Sequence, residues 1–178
     1  MPSAEPIFLD RPHPATLEDE ALLAVCRAVR KRTGGPGGQH RNKVETGVVL
    51  RHEPTGTEAH ADERRSVVEN QRMAVRRLRL VLAVLVRCPV PDGDQRSEVW
   101  RERCGTDGRI ACNPDHRDYP SLLAEAMDNL WSCGLDPRKA AARLCSTASQ
   151  VVKLLKEHPP ALVRLNEARA LVGEHPFH

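Results

Sequence analysis

Aromatic side chains are nearly absent from this sequence. Of 178 residues only Phe8, Trp100, Tyr119, Trp131 and Phe177 carry a Phe, Tyr or Trp ring, and none lies between positions 9 and 99. Modules that read RNA by stacking bases, such as RRM sheets and OB-folds, need aromatic platforms, so those modes are excluded from the first half of the chain. Long apolar runs are missing as well. The longest, residues 80–86, is far short of the roughly 20 residues of a membrane-spanning helix, so no membrane role is expected. The six cysteines (Cys26, Cys88, Cys104, Cys112, Cys133, Cys145) include no C-x-x-C pair, and no apolar leader with a cleavage site precedes them. Both absences predict reduced thiols in a cytoplasmic protein. Cys104, Cys112 and His116 lack the tight paired spacing and fourth ligand of a structural zinc site; the cysteines are read as ordinary buried or surface thiols, with no metal or cofactor expected.

What is present is an uneven charge on a globular composition. Apolar residues make up 40% and charged residues 29%, a folding rather than a disordered balance, and the length suits one ordinary domain plus a small second one. The net charge of +3 hides three unlike stretches: residues 1–26 sum to −4, residues 27–79 to +7 and residues 80–178 to zero. A basic middle points to a polyanionic partner.

Along the chain, Pro2, Pro6, Pro12 and Pro14 mark residues 1–15 as an N-terminal arm. Thr16 offers an N-cap, with acidic residues in the turn that follows, and predicts a helix over about 17–30. A glycine-rich stretch ends it. Residues 44–50 are rich in β-branched residues and read as a strand, Glu53-Pro54-Thr55-Gly56 as a turn, and residues 57–61 as the returning strand. From Ser66 to about Arg87 one long helix is expected, basic in its first half and apolar in its second. Residues 89–118, rich in Pro, Gly and Asp, read as a linker region dominated by loops. Four short helices follow over about 121–133, 137–145, 148–158 and 161–172, with Asp136-Pro137 as a cap and first helical residue and Thr147-x-x-Gln150 as a capping-box pattern. The short junction at Cys145-Ser146-Thr147 has the length of a helix-turn-helix. The expected fold class is α+β: a small domain over 16–88, with a β-hairpin packed on a long helix, then an all-α helix-turn-helix-like module over 119–178.

The informative segment is Gly34-Gly35-Pro36-Gly37-Gly38-Gln39-His40-Arg41-Asn42-Lys43. Adjacent glycines flanked by basic residues describe a backbone that approaches something negatively charged very closely, and a flexible linker rarely carries Gln-His-Arg-Asn-Lys directly after its glycines. The segment resembles the signature of the catalytic domain of class I peptide chain release factors, G-x-G-G-Q-H-x-N-K-x-E-S/T-A/G-V, in Gly35, Gly37, Gly38, Gln39, His40, Asn42, Lys43, Glu45, Thr46, Gly47 and Val48. The family's H-x-P-T-G follows as His52, Pro54, Thr55 and Gly56, then Arg65, Ser66 and Asn70, all in register. The likeness covers about residues 16–87. Arg41 departs from the small apolar residue usual after Gln-His, and Asp62 stands where many members carry Gln.

The resemblance implies hydrolysis of the ester between nascent peptide and tRNA in the peptidyl transferase centre of the large ribosomal subunit. In that family the main-chain amide of the glutamine, here Gln39, aids the chemistry, Gly37 and Gly38 permit its backbone conformation, and the Gln39 side chain excludes larger nucleophiles. It also implies RNA contacts by Arg30, Lys31, Arg32, His40, Arg41, Asn42, Lys43, Arg64, Arg65, Arg72 and Arg76, with Arg77 and Arg79 as further basic candidates. A solvated helix face accounts equally for several of the helical arginines. His40 is read as an RNA contact or a packed loop residue, not as a general base. Gln39 is the residue on which a glutamine methyltransferase acts in related proteins.

Full-length release factors devote separate domains to the stop codon, for which 178 residues leave no space. The chain therefore looks like the short rescue-type members, which act without reading a stop codon, and is expected to be a monomer. It lacks the Lys/Arg-rich tail of the bacterial ones; residues 134–169 instead carry seven basic and three acidic side chains. This module is open to three readings: ribosomal RNA docking, a helical core with a solvated or protein-contacting basic face, or DNA binding. A non-hydrolytic ribosome- or nucleic-acid-binding regulator is the alternative for the whole chain.

Overall fold

The computed structural model describes residues 5–31 and 46–178. In chain order the elements are β1 (Ile7–Phe8), a 3₁₀ turn (Pro14–Thr16), α1 (Asp19–Ala24), β2 (Cys26–Lys31), β3 (Gly47–His52), β4 (Thr57–Ala61), α2 (Val67–Leu85), β5 (Val86–Arg87), α3 (Glu98–Arg103), α4 (Tyr119–Ser132), α5 (Pro137–Arg143), α6 (Ala148–Lys156) and α7 (Pro159–Leu171). The fold is α+β. The chain divides into two compact units, Leu17–Leu82 and Met1–Thr16 with Ala83–His178.

In the unit of residues 17–82, β2, β3 and β4 form an antiparallel sheet in that order. Strand alternation sets its faces. Val48, Leu50 and His52 of β3 pair with Ala61, Ala59 and Thr57 of β4, and all six are buried. Ala74 and Val75, then Leu78 and Leu82, line one face of α2 and, with Leu22 of α1, add further buried apolar side chains. Two polar bonds hold α2 to the sheet, from Arg77 Nη1 to the His60 carbonyl (2.7 Å) and from Asn70 Nδ2 to the Thr46 carbonyl (2.7 Å).

One expected element is replaced here. The helix over about 17–30 exists only as α1, with Glu18 and not Thr16 at its N-cap; residues 26–31 are strand β2, in register with β3 from Cys26↔His52 to Lys31↔Gly47. Val25, Cys26 and Val29 suit either conformation, and the ladder to β3 decides between them.

The other unit is built around α4, which touches α3, α5, α6, β5 and the 3₁₀ turn. Tyr119, Leu122, Leu123, Ala126, Met127 and Leu130 of α4 are buried. The residues expected as an arm enter this unit: β1 pairs in parallel with β5, Ile7 opposite Val86 and Phe8 opposite Arg87. Within the expected loop region, Ser97 caps α3 by accepting from the Trp100 amide (3.0 Å), while its own amide donates to Glu125 Oε1. Trp100 is fully buried, its indole donating to the Leu144 carbonyl at 2.8 Å.

The four C-terminal helices stand where the sequence places them. Asp136 accepts from the amides of Arg138 and Lys139, and Thr147 from that of Gln150. Helices α4, α5 and α7 end alike: the amides of Leu135, Ser146 and Glu174 bond back to the carbonyls of Leu130, Ala141 and Arg169, with Gly134, Cys145 and Gly173 at positive φ.

Candidate functional site

β2 ends at Lys31 and β3 begins at Gly47, and these two residues are register partners. Residues 32–45 therefore connect two neighbouring antiparallel strands. Gly37, Gly38 and Gln39, with Arg32, His40, Arg41, Asn42 and Lys43, lie outside the described residues. At the strand pair that bounds them the backbones approach closely: a Cβ on Gly47 would stand 2.9 Å from the Lys31 carbonyl oxygen and 3.2 Å from Asp62 Cβ. Only glycine fits that approach undisturbed.

The residues matching the rest of the signature build the frame around this strand pair. His52, buried at the end of β3, lies with Nδ1 2.8 Å from Thr55 Oγ1, and Thr55 Oγ1 donates to Thr57 Oγ1 at 2.9 Å. The amides of Thr55 and Gly56 donate back to the His52 carbonyl, and Gly56 takes φ +67°. This motif is the β3–β4 turn. Burial lowers the His52 pKa, which keeps the ring neutral. Asn70, with no exposed surface, donates from Nδ2 to the carbonyls of Thr46 (2.7 Å) and Arg64 (2.9 Å) and accepts at Oδ1 from the Arg64 amide (2.9 Å).

The candidate RNA-contacting residues divide into two groups. Arg30 and Lys31 at the end of β2, Arg64 and Arg65 before α2, and Arg72 on α2 are exposed; Arg76, one turn after Arg72, is half-buried. Arg77 and Arg79 are held within the unit, Arg77 by Glu63 (2.6 Å) and Arg79 by Asp19 (2.7 Å). The hydrogen bond from Arg77 draws the Glu63 carboxyl down to about 2. Sequence reasoning missed Arg27 and Arg51. They are direct register partners on the outer sheet face, with Lys31 on the same face of β2; Glu58, the partner of Arg51 on β4, lies 3.4 Å from its guanidinium and relieves the like-charge contact. Only once residues 26–31 are known to be a strand does alternation place Arg27 and Lys31 on one face.

Elsewhere, His13 Nδ1 or Nε2, Cys88 Sγ and an Asp128 oxygen lie within 4.8 Å of one another, all buried. The donor set resembles a metal site, but its hydrogen bonds close it. His13 Nδ1 accepts the Ala15 amide (3.0 Å), Nε2 lies 3.2 Å from the Val86 carbonyl, and Asp128 Oδ1 accepts the Cys88 amide (3.0 Å). Burial pushes the Cys88 thiol up to about 11, so it stays protonated. Cys104, Cys112 and His116 form no such group among the described residues; His116 Nδ1 instead accepts the Asp118 amide.

In the helix-turn-helix-like pair α5 and α6, a loop covers the N-terminal end of the second helix. Ser146 Oγ donates to the Gly108 carbonyl (2.7 Å) and the Ile110 amide donates to Gln150 Oε1 (3.2 Å). A DNA-reading helix needs that end free to enter the major groove. Lys153 and Lys156, further along α6, remain exposed.

The RF-1 domain profile matches residues 25–104. The chain carries an RF-1 domain. Its limits take in the strand pair, the glycine segment, Asn70, all of α2 and α3. The chain is 43% identical over 137 residues to peptide chain release factor 1 of Symbiobacterium thermophilum, covering 77% of this chain and 36% of that protein. It is 37% identical over 110 residues to peptide chain release factor 1 of Akkermansia muciniphila, covering 61% and 27%. The chloroplastic peptide chain release factor PrfB1 of Arabidopsis thaliana is 46% identical over 88 residues, covering 49% and 18%. The chain thus spans about a third or less of the length of these relatives, and the RF-1 domain is the part of the likeness to which the signature residues belong. No helix of the described residues is long and apolar enough to cross a membrane.

Proposed function

We propose that this chain hydrolyses the peptidyl-tRNA ester in the peptidyl transferase centre and releases the nascent peptide without reading a stop codon, in ribosome rescue. The observation that carries the reading is an intact Gly37-Gly38-Gln39 inside the RF-1 domain, on the connection between the paired residues Lys31 and Gly47. Water is the nucleophile. The Gln39 main-chain N–H donates to the oxygen on which charge develops, a task needing a fixed dipole and no titrating side chain, and Gly37 and Gly38 leave room for that backbone geometry. The Gln39 side chain shapes the pocket against nucleophiles larger than water, while ribosomal RNA supplies the rest of the site.

Arg30, Lys31, Arg64, Arg65, Arg72 and Arg76, with Arg32, His40, Arg41, Asn42 and Lys43, contact phosphates of ribosomal RNA and tRNA, and Arg27 joins them. The partners are the large ribosomal subunit and peptidyl-tRNA, with a glutamine methyltransferase acting on Gln39; the protein works as a cytoplasmic monomer. Covering of the α6 N-terminal end by the 108–110 loop favours ribosomal RNA or protein contact over DNA reading for residues 119–178.

The test is peptide release from peptidyl-tRNA on nonstop-stalled ribosomes and on isolated large subunits. Wild-type protein should release peptide on both; Gly38→Ala, which disturbs the backbone that aims the Gln39 amide, should lower the rate by at least about a hundredfold, while Gln39→Ala, which keeps that amide, should admit nucleophiles larger than water. Equal rates for wild type and Gly38→Ala would refute hydrolysis.

A further inference from the structure

We propose that Asn70 is a positioning residue for the ester-cleaving segment, fixing the start of β3 and the Arg64-Arg65 loop to the first turn of α2 as one piece. This rests on the release reading above. The orientation of the Asn70 amide follows from its neighbours: two carbonyl oxygens, of Thr46 and Arg64, can only accept, and the Arg64 amide can only donate. Three bonds therefore use both Nδ2 hydrogens and Oδ1. The Asn70 backbone amide donates to the Ser66 carbonyl, which seats the residue in the first turn of the helix.

No other side chain of similar volume makes the same set. Aspartate has no N–H to offer the two carbonyls, leucine has neither donor nor acceptor, and serine is too short to span them. If packing were the only requirement, an apolar residue at this buried position would serve. A planar amide with three directional bonds instead fixes where two separate chain segments stand.

What those segments carry gives the clamp its meaning. Thr46 precedes Gly47, the partner of Lys31, so its carbonyl anchors the chain where the 32–45 connection returns to the sheet. Arg64 anchors an exposed basic pair, Arg64 and Arg65, that the release reading assigns to RNA. Asn70 thereby refers the returning end of the glycine segment and a nearby RNA contact to the same helix. Displacement of a reacting group by about 1 Å costs about a hundredfold in rate, so loss of this reference should lower the chemical step more than binding.

The experiment uses the full chain as wild type, Asn70→Asp and Asn70→Ala, with two independent readouts. In the free protein, amide hydrogen exchange should quicken together in residues 46–50 and 62–66 by about tenfold or more, with residues 119–172 unchanged. In single-turnover release on the ribosome, the rate at saturating protein should fall about ten- to a hundredfold, while the half-saturating concentration stays within about twofold of wild type. Exchange that quickens in one segment alone or across the whole chain overturns the clamp. An unchanged release rate, or a loss that higher protein concentration restores, overturns the positioning role. A wild type that releases no peptide refutes the release reading itself and the positioning role with it; quickened exchange in both segments would then leave Asn70 as a purely structural clamp.

Discussion

Asp128 is 2% exposed, with buried Arg87 3.5 Å from its Oδ1. Burial outweighs the guanidinium and pushes the carboxyl up to about 6 from its ordinary 3.8. Because the folded value is the higher one, the stabilising contribution of this group is complete below pH 3.8 and is lost as pH rises through about 6. The unfolding free energy of wild type minus that of Asp128→Asn should thus fall by on the order of 2–3 kcal/mol between about pH 4 and about pH 7. Urea unfolding of both proteins across that range checks it, and a flat difference would show that the carboxyl titrates normally. The sequence offers no hint of this pair, since Arg87 and Asp128 meet only through the packing of β5 on α4. The Gly37-Gly38-Gln39 signature, by contrast, is legible one residue at a time, because it lies in residue type and spacing rather than in tertiary contact.

Among the elements, the C-terminal helices were readable because their signals are local: Asp136 before Pro137, Thr147 before α6, and Gly134 closing α4. Thr147 caps α6 as expected, yet Gln150 does not reach back as a capping box would; its oxygen accepts from Ile110 instead. Strand β2 was not readable, because residues 26–31 also fit a helical period and the ladder that makes them a strand lies on the far side of the glycine segment. Helix α3 was hidden for a similar reason, its cap Ser97 being fixed by Glu125 of α4. The termination of α5 makes its own prediction. Cys145 holds the left-handed position, φ +48°, that glycine fills at the ends of α4 and α7. A β-carbon there costs about 1–2 kcal/mol, partly offset by the greater freedom of glycine in the unfolded chain. Cys145→Gly should therefore raise the unfolding free energy by about 0.5–1 kcal/mol, read from the urea midpoint; a loss of stability would mean that the cysteine side chain contributes more than its backbone strain costs.

At the scale of the molecule, one compact unit is continuous in sequence and the other is not. Residues 83–178 take their remaining strand from Ile7–Phe8, and the Leu9 amide extends that pairing by donating to the Arg87 carbonyl at 3.1 Å. Leu9→Pro removes this donor and should weaken amide protection across residues 119–172 by about 1–3 kcal/mol, leaving residues 47–61 as protected as in wild type. Hydrogen exchange followed by mass spectrometry distinguishes this from a uniform loss, which would argue that the two units unfold together. The pairing of β1 with β5 also orders events during synthesis. The first strand leaves the ribosome long before its partner exists, and a complete sheet-and-helix unit emerges between them. Closing so long a connection costs only slowly growing entropy, but it cannot begin until Val86 and Arg87 are exposed. The nascent chain can therefore have its sheet-and-helix unit folded while its opening segment is still waiting for a neighbour.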